Sequence, residues 1–553
     1  MYPQRGWNDA VHLYMNELSA RVIAETGIPS DRYHLGKLIL RGLQDAPDFV
    51  LQIDAATGES ETCESVLKRS VQCANALRNL GLQRGDVIVL MAPNHIHLCV
   101  PYYAGLYLGI TVALIDRTLT VKELQHVFVV DNPKIIFCQS ERAAEVVALT
   151  KTINLNTQIV TFDDGADVEN VCSFNELLKH SENDCNVNNF RATDFDPEET
   201  LAFLVPTSGT SGLPKQAAAS HRSIAIGGPY AWMMFTKFPT PTRLVMIISP
   251  IQWTSAILHF NLSPILRYTR LQSSANIHQE HAYEMINKYK PTIVQSSPTF
   301  MTTLLRPGDR DKCDFSSFEE IGLGGSHVPV HLVNEIKKVA PNCRLHIGYG
   351  MTEIMTAALC PSSHNFASVG TPLSLFQYRL VDPETLENIT DPNVNGELWL
   401  KGPCLVKGYY GNPTATKEAF TEDGWYRTGD IFYRDEHYNF YFSEKLKLLL
   451  KYKNHQVSPT ELENVIRQNP GVSDVAVTGI PDPEYGELIV ACVVRKPGHE
   501  VTAQEIKDLV KNNLAETKHL SGGVIFIKEL PLTASGKIHR QAIKKLVLEL
   551  GRE

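Results

Sequence analysis

The ten residues from Thr207 to Gln216 read TSGTSGLPKQ, between LAFLVP, which has the texture of a strand, and AAASH, the start of another element. Gly209 and Gly212 let a backbone turn its N–H groups onto a ligand with no Cβ in the way. The hydroxyls of Thr207, Ser208, Thr210 and Ser211 add donors, and Lys215 adds a full positive charge. Such a set suits an anion, phosphate above all. A surface turn uses the same residue types for backbone reasons alone. The spacing is not the GxxxxGK of nucleoside triphosphatases, because Leu213 and Pro214 separate the second glycine from the lysine.

Five more passages follow in order: GYGMTE from 348, GELWLKGPCLVKGYYGNP from 396, GWYRTGD from 424, KLKLLLKYKNHQVSPTELE from 445 and LTASGKIHR from 532. With the first loop, this series resembles the adenylate-forming superfamily of acyl-CoA synthetases, 4-coumarate-CoA ligases and beetle luciferases. The likeness covers nearly the whole chain, and six motifs in one order are far more specific than any one of them. The passages KYKNHQVSPTELE and GGVIFIKELP are most similar to insect luciferase-like acyl-CoA ligases.

The resemblance implies a two-step reaction using ATP, Mg²⁺ and coenzyme A. A carboxylate attacks the α-phosphate, pyrophosphate leaves, and a thiol then displaces AMP from the acyl-adenylate. Transfer of this kind is mostly positioning and charge stabilisation. By the resemblance, residues 207–215 hold the departing β and γ phosphates, Thr352 bonds the α-phosphate, and Glu353 holds Mg²⁺. Tyr349 offers a flat face to adenine, with Gly324, Gly325 and Ser326 opposite. Asp430 accepts the ribose hydroxyls, since one carboxylate takes two donors. Lys537 steadies the bond-forming oxygens, and Lys451 belongs to the thioester step. Trp253, Ser255 and Ala256 border the acyl pocket; Ser255 and Ala256 are small where beetle luciferases carry Phe and Gly, which favours a flexible fatty acyl chain.

The chain departs from the pattern at four places. The joint carries Glu444 and Lys445 where relatives have Asp and Arg, so Lys445 lacks the bidentate fork of arginine. Asn454 and Gln216 each replace a glycine. The expected activity is ATP-dependent ligation of a medium- or long-chain fatty acid, or a related carboxylic acid, to coenzyme A. Two other readings stand beside it: a luciferase-like oxygenase, and an ATP-binding protein that has lost thioester formation.

These residues must be positioned by alternating helices and strands. Val66, Leu67, Val71, Ala74 and Leu77 recur at helical spacing before the strand-like VIVLMAP. The alternation returns at HAYEMINKYKP with PTIVQSSP and at HLVNEIKKVAP with CRLHIGYG, which predicts an α/β fold with mostly parallel sheets. After about residue 443 the texture changes. Capping-box patterns at Ser458–Glu461 and Thr502–Glu505 open two helices among the runs VSDVAVTGI, ELIVACVV and GGVIFI. The expected organisation is a large N-terminal AMP-binding domain of layered α/β sheets, residues 1–443, and a small mobile α+β domain, residues 444–553.

A chain of 553 residues with 43% apolar and 20% charged residues is too long for one core. Its net charge of -9 argues against a nucleic-acid partner. Eleven scattered cysteines without a Cys-x-x-Cys pair fit free thiols in a reducing compartment. The start lacks the pattern of a signal or transit peptide, and Gly551-Arg552-Glu553 is not the Ser-Lys-Leu peroxisomal address, so the cytoplasm is expected. The apolar run Val100–Ile115 is too short to span a bilayer and reads as a buried helix entering a strand.

Overall fold

The computed structural model describes residues 8–163, 168–179, 187–207, 214–233, 243–326, 328–360, 365–452, 455–482, 485–514, 516–532 and 538–550. The chain gathers into two compact units, Met1–Gln377 with Lys401–Tyr426, and Tyr378–Leu400 with Arg427–Glu553. The expected boundary at 443/444 lies inside the second unit.

The first unit holds two seven-stranded sheets. One runs Val171–Ser173, Gln158–Thr161, Ile135–Cys138, Val87–Met91, Thr111–Leu114, Leu201–Thr207 and Lys215–Ser220, parallel until the last pair. The other runs Arg344–Ile347, Glu320–Leu323, Ile293–Ser296, Leu244–Ile247, Thr269–Gln272, Val50–Asp54 and Ser60–Thr62, again with only the last pair antiparallel. Parallel strands covered on both faces read as continuous apolar runs, which is why VIVLMAP shows no polar alternation.

The two-residue period of a strand sorts these side chains between cores. Ile88 and Leu90 join a central core with Val245 and Ile247 of the other sheet and with the buried helices Leu35–Gln44, Cys99–Leu108 and Thr254–Leu266. Val87, Val89 and Met91 face an outer core with Leu124, Val127 and Phe128. Met246, Val294, Ile321 and Leu345 face another, under the helices Gln279–Tyr289 and Val330–Val339. The run from Val100 is the expected buried helix entering a strand.

The second unit holds two smaller sheets. One runs Asn388–Ile389, Gln377–Val381, Gly396–Lys401, Tyr426–Arg434 and Phe440–Lys445. The other runs His455–Val457, Leu450–Tyr452, Gly486–Arg495 and Val472–Asp482, with Gly523–Ile527 parallel to Gly486–Arg495. Val475, Val477 and Ile489 pack with the helices Pro459–Ile466 and Ala503–Asn513, while Ala476, Val490 and Cys492 pack with Arg540–Glu549. The capping box at Thr502 is complete. At Ser458 the cap forms, but the Glu461 carboxylate turns to Lys518 Nζ at 2.7 Å, so only half of that device is present.

Ten cysteines are described, and all are free thiols. Among the described residues, no helix is long and apolar enough to cross a membrane.

Candidate active site

Ligands of open parallel sheets collect outside the carboxyl ends of the strands. At those ends in the second large sheet stand Trp253 after Leu244–Ile247, Gly324 to Ser326 after Glu320–Leu323, and Tyr349 to Glu353 after Arg344–Ile347. The backbone is tight here. A Cβ on Gly350 would lie 2.7 Å from the Thr356 carbonyl oxygen, so that loop needs glycine, and one on Gly324 would press to 3.1 Å from the Gly348 carbonyl oxygen. Thr352–Ile354 then forms a single 3₁₀ turn closed by Met355 at a φ of 51°.

Glu353 is buried, 7% exposed, and its Oε1 accepts a hydrogen bond from the Tyr409 hydroxyl at 2.8 Å. The Tyr426 hydroxyl in turn hydrogen-bonds to Tyr409. Burial and the Glu353 carboxylate raise both phenols above their ordinary range, so they stay protonated and able to donate.

Tyr409 owes its place to backbone pairing. Lys407 N donates to Ala218 O at 2.8 Å, Ala218 N to Gly408 O at 3.0 Å, and Tyr410 N to Gln216 O at 2.8 Å, which adds the KGYYG segment to the strand Lys215–Ser220. Val406 N donates to Glu353 O at 2.9 Å. The strand after the loop and the Thr352–Ile354 turn are therefore stitched together by one segment. Lys215 Nζ sits 5.1 Å from the centroid of the Tyr409 ring, in range of a cation–π contact. Thr207, Lys215, Tyr349, Thr352 and Glu353 thus belong to one neighbourhood of the first unit. Ser208, Gly209, Thr210, Ser211 and Gly212 lie outside the described residues.

Trp253 caps the buried helix Thr254–Leu266 and is half-buried. Ser255 Oγ donates to Ser249 Oγ at 2.8 Å, and Ala256 is fully buried.

In the second unit, Asp430 is buried, 3% exposed, and its Oδ1 accepts from Lys445 Nζ at 2.7 Å. Glu397 orients the preceding turn, its Oε1 taking Gly429 N at 2.8 Å and its Oε2 taking Trp399 Nε1 at 2.7 Å. Glu444, 2% exposed, accepts from Lys445 N through Oε1, and its Oε2 accepts from Thr460 N at 3.0 Å and Thr460 Oγ1 at 2.6 Å. The Glu444 carboxylate is thereby bonded into the first turn of the helix Pro459–Ile466, where an anion is favoured. Lys451 lies on the strand Leu450–Tyr452, paired with Gln456. Asn454 and Lys537 lie outside the described residues.

The family model of AMP-binding enzymes matches residues 41–410, and that of the AMP-binding enzyme C-terminal domain matches 461–537. The chain belongs to the adenylate-forming AMP-binding enzymes. The family includes the luciferin 4-monooxygenase of Nipponoluciola cruciata, 30% identical over 498 residues that cover 89% of this chain and 90% of the relative. A 4-coumarate-CoA ligase-like protein of Arabidopsis thaliana is 29% identical, covering 89% of each chain. The ATP-bound structure of MatB from Rhodopseudomonas palustris shares the fold with a TM-score of 0.81 at 23% identity, covering 92% of this chain and 98% of that one.

Two residues in the candidate site of this AMP-binding enzyme were not singled out in the sequence. Tyr409 and Tyr426 each sit inside a quoted motif, KGYYGNP and GWYRTGD. Strand addition brings Tyr409 to Glu353, and Tyr426 joins through its hydrogen bond to Tyr409.

Proposed function

We propose that this AMP-binding enzyme activates a medium- or long-chain fatty acid, or a related carboxylic acid, as its adenylate and passes the acyl group to coenzyme A in the cytoplasm. The observation that carries the reading is the chain of contacts from Lys215 through Tyr409 to the buried Glu353 carboxylate. It links a cation and a carboxylate, the two charges phosphoryl transfer needs, through one tyrosine ring.

In this reading an oxygen of the substrate carboxylate bonds to the α-phosphorus of ATP, and the bond to the β-phosphate oxygen breaks with its electron pair leaving on pyrophosphate. Lys215 and the 207–215 loop hold the phosphates that depart. Thr352 orients the α-phosphate, and Tyr349 with Gly324 to Ser326 encloses the base. Asp430 takes the ribose hydroxyls, while Lys537 steadies the reacting oxygens. One buried carboxylate fits a Mg²⁺ ion that draws its other oxygens from phosphate and water, and such an ion would neutralise charge on the leaving group. Tyr409, donating to Glu353, fixes which way that carboxylate faces. Trp253, Ser255 and Ala256 border the acyl chain. The thioester step uses Lys451 and rotation of residues 444–553 about Glu444 and Lys445.

The test is pyrophosphate release by the purified protein with Mg-ATP across a panel of carboxylic acids, with and without coenzyme A. Pyrophosphate with acyl-CoA supports the ligase; pyrophosphate without thioester supports loss of the second step; no release with any acid overturns the reading. The luciferin 4-monooxygenase relative supports a second reading, oxygenation of the enzyme's own adenylate. Light on adding luciferin, ATP and O₂ would favour it.

A further inference from the structure

A strand sends successive side chains to opposite faces. Lys215 lies against Tyr409, and Gln216 goes the other way, where its Nε2 donates to Asp131 Oδ2 at 2.7 Å. The two side chains are 2% and 1% exposed. The second polar atom of each, Gln216 Oε1 and Asp131 Oδ1, has no hydrogen-bond partner among the described residues.

Both unpartnered atoms are acceptors if the carboxyl is ionised, and burying two such groups is costly. A proton on Oδ1 supplies the donor that Oε1 lacks, and an acid–amide pair then satisfies all four atoms. Burial pushes Asp131 up to about 8, with the Gln216 bond the one opposing influence and no charged side chain among the described residues acting on it. Asp131 also ends the helix Val121–Asp131, where the helix dipole disfavours an anion.

We propose that Asp131 is held as a neutral acid paired with Gln216, and that this pair positions the strand which carries Lys215. The proposal rests on the reading that Lys215 holds phosphates of ATP. The same Gln216 is pinned from its backbone side by Tyr410 N, so the residue after the lysine is fixed on both sides.

Asparagine is the isostere of the neutral acid, with a permanent donor. In pyrophosphate-release assays on the full chain, Asp131→Asn keeps the KM for Mg-ATP within about twofold of wild type at pH 7, while Asp131→Ala and Gln216→Ala raise it about tenfold. Between pH 7 and 9 the wild-type KM rises relative to that of Asp131→Asn, because ionisation removes the second hydrogen bond. A purely structural role would lower melting temperature without moving KM. Asp131→Asn behaving like Asp131→Ala, or parallel pH profiles for wild type and Asp131→Asn, overturns the proposal. If wild type releases no pyrophosphate with any acid, the ligase reading fails, and melting still reports the pair. The native state then holds a proton that the unfolded chain gives up near pH 4, so wild type loses stability between about pH 4 and 8 relative to Asp131→Asn. A constant difference in melting temperature over that range sinks the neutral acid.

Discussion

Glu353 and Asp430 are both buried carboxylates; Tyr409 Oη donates to the first and Lys445 Nζ to the second. Removing charge without volume separates their roles. Glu353→Gln keeps a carbonyl oxygen for Tyr409 but gives up the anion, so adenylate formation should fall about a hundredfold or more with the fold intact, measured as pyrophosphate release and melting temperature. Asp430→Ala should weaken nucleotide binding, and unchanged ATP affinity in a titration would remove the ribose contact. Lys537→Ala should cut pyrophosphate release severely, with ATP binding largely kept; near-normal release would end its assigned role. Thr352, Glu353 and Lys215 could be named as candidates from the sequence because each lies in a motif that carries the family resemblance. Tyr409 could not, because a tyrosine in a glycine-rich run becomes a carboxylate's partner only through pairing with a distant strand.

At the scale of elements, Glu444 holds the start of a helix: its Oε2 accepts from the backbone and hydroxyl of Thr460. It therefore supports the helix Pro459–Ile466 as well as linking two segments. Glu444→Ala leaves the helix start without that acceptor and should cost about 1–3 kcal/mol in chemical denaturation followed by a probe in the second unit. The helices and strands that build the two large sheets were legible as alternating periods, and so was the capping box at Thr502. The failure of half the box at Ser458 was not. Its glutamate is drawn away by Lys518, a residue brought near by the fold rather than by spacing.

At the scale of the whole molecule, several histidines are buried in the neutral form. Burial lowers His34 and His346 to about 4 and His95 and His259 to about 3. The unfolded chain binds these protons near pH 6.5 and the native state does not, so stability rises with pH across that interval and is lost as pH falls from about 6.5 toward 4. Melting temperature should drop over that range, and a flat profile would contradict the buried neutral rings. The overall α/β class could be read from sequence, but the membership of each sheet could not. No local signal tells Val50–Asp54 that its neighbour is Thr269–Gln272, with Gln52 opposite Arg270 and bonded to its guanidinium across 218 residues. During synthesis at 5–20 residues per second, that early strand waits roughly ten to forty seconds for its partner to leave the ribosome. The first strand made for the second large sheet thus has no parallel partner until Thr269–Gln272 exists, and three strands of that sheet are made later still.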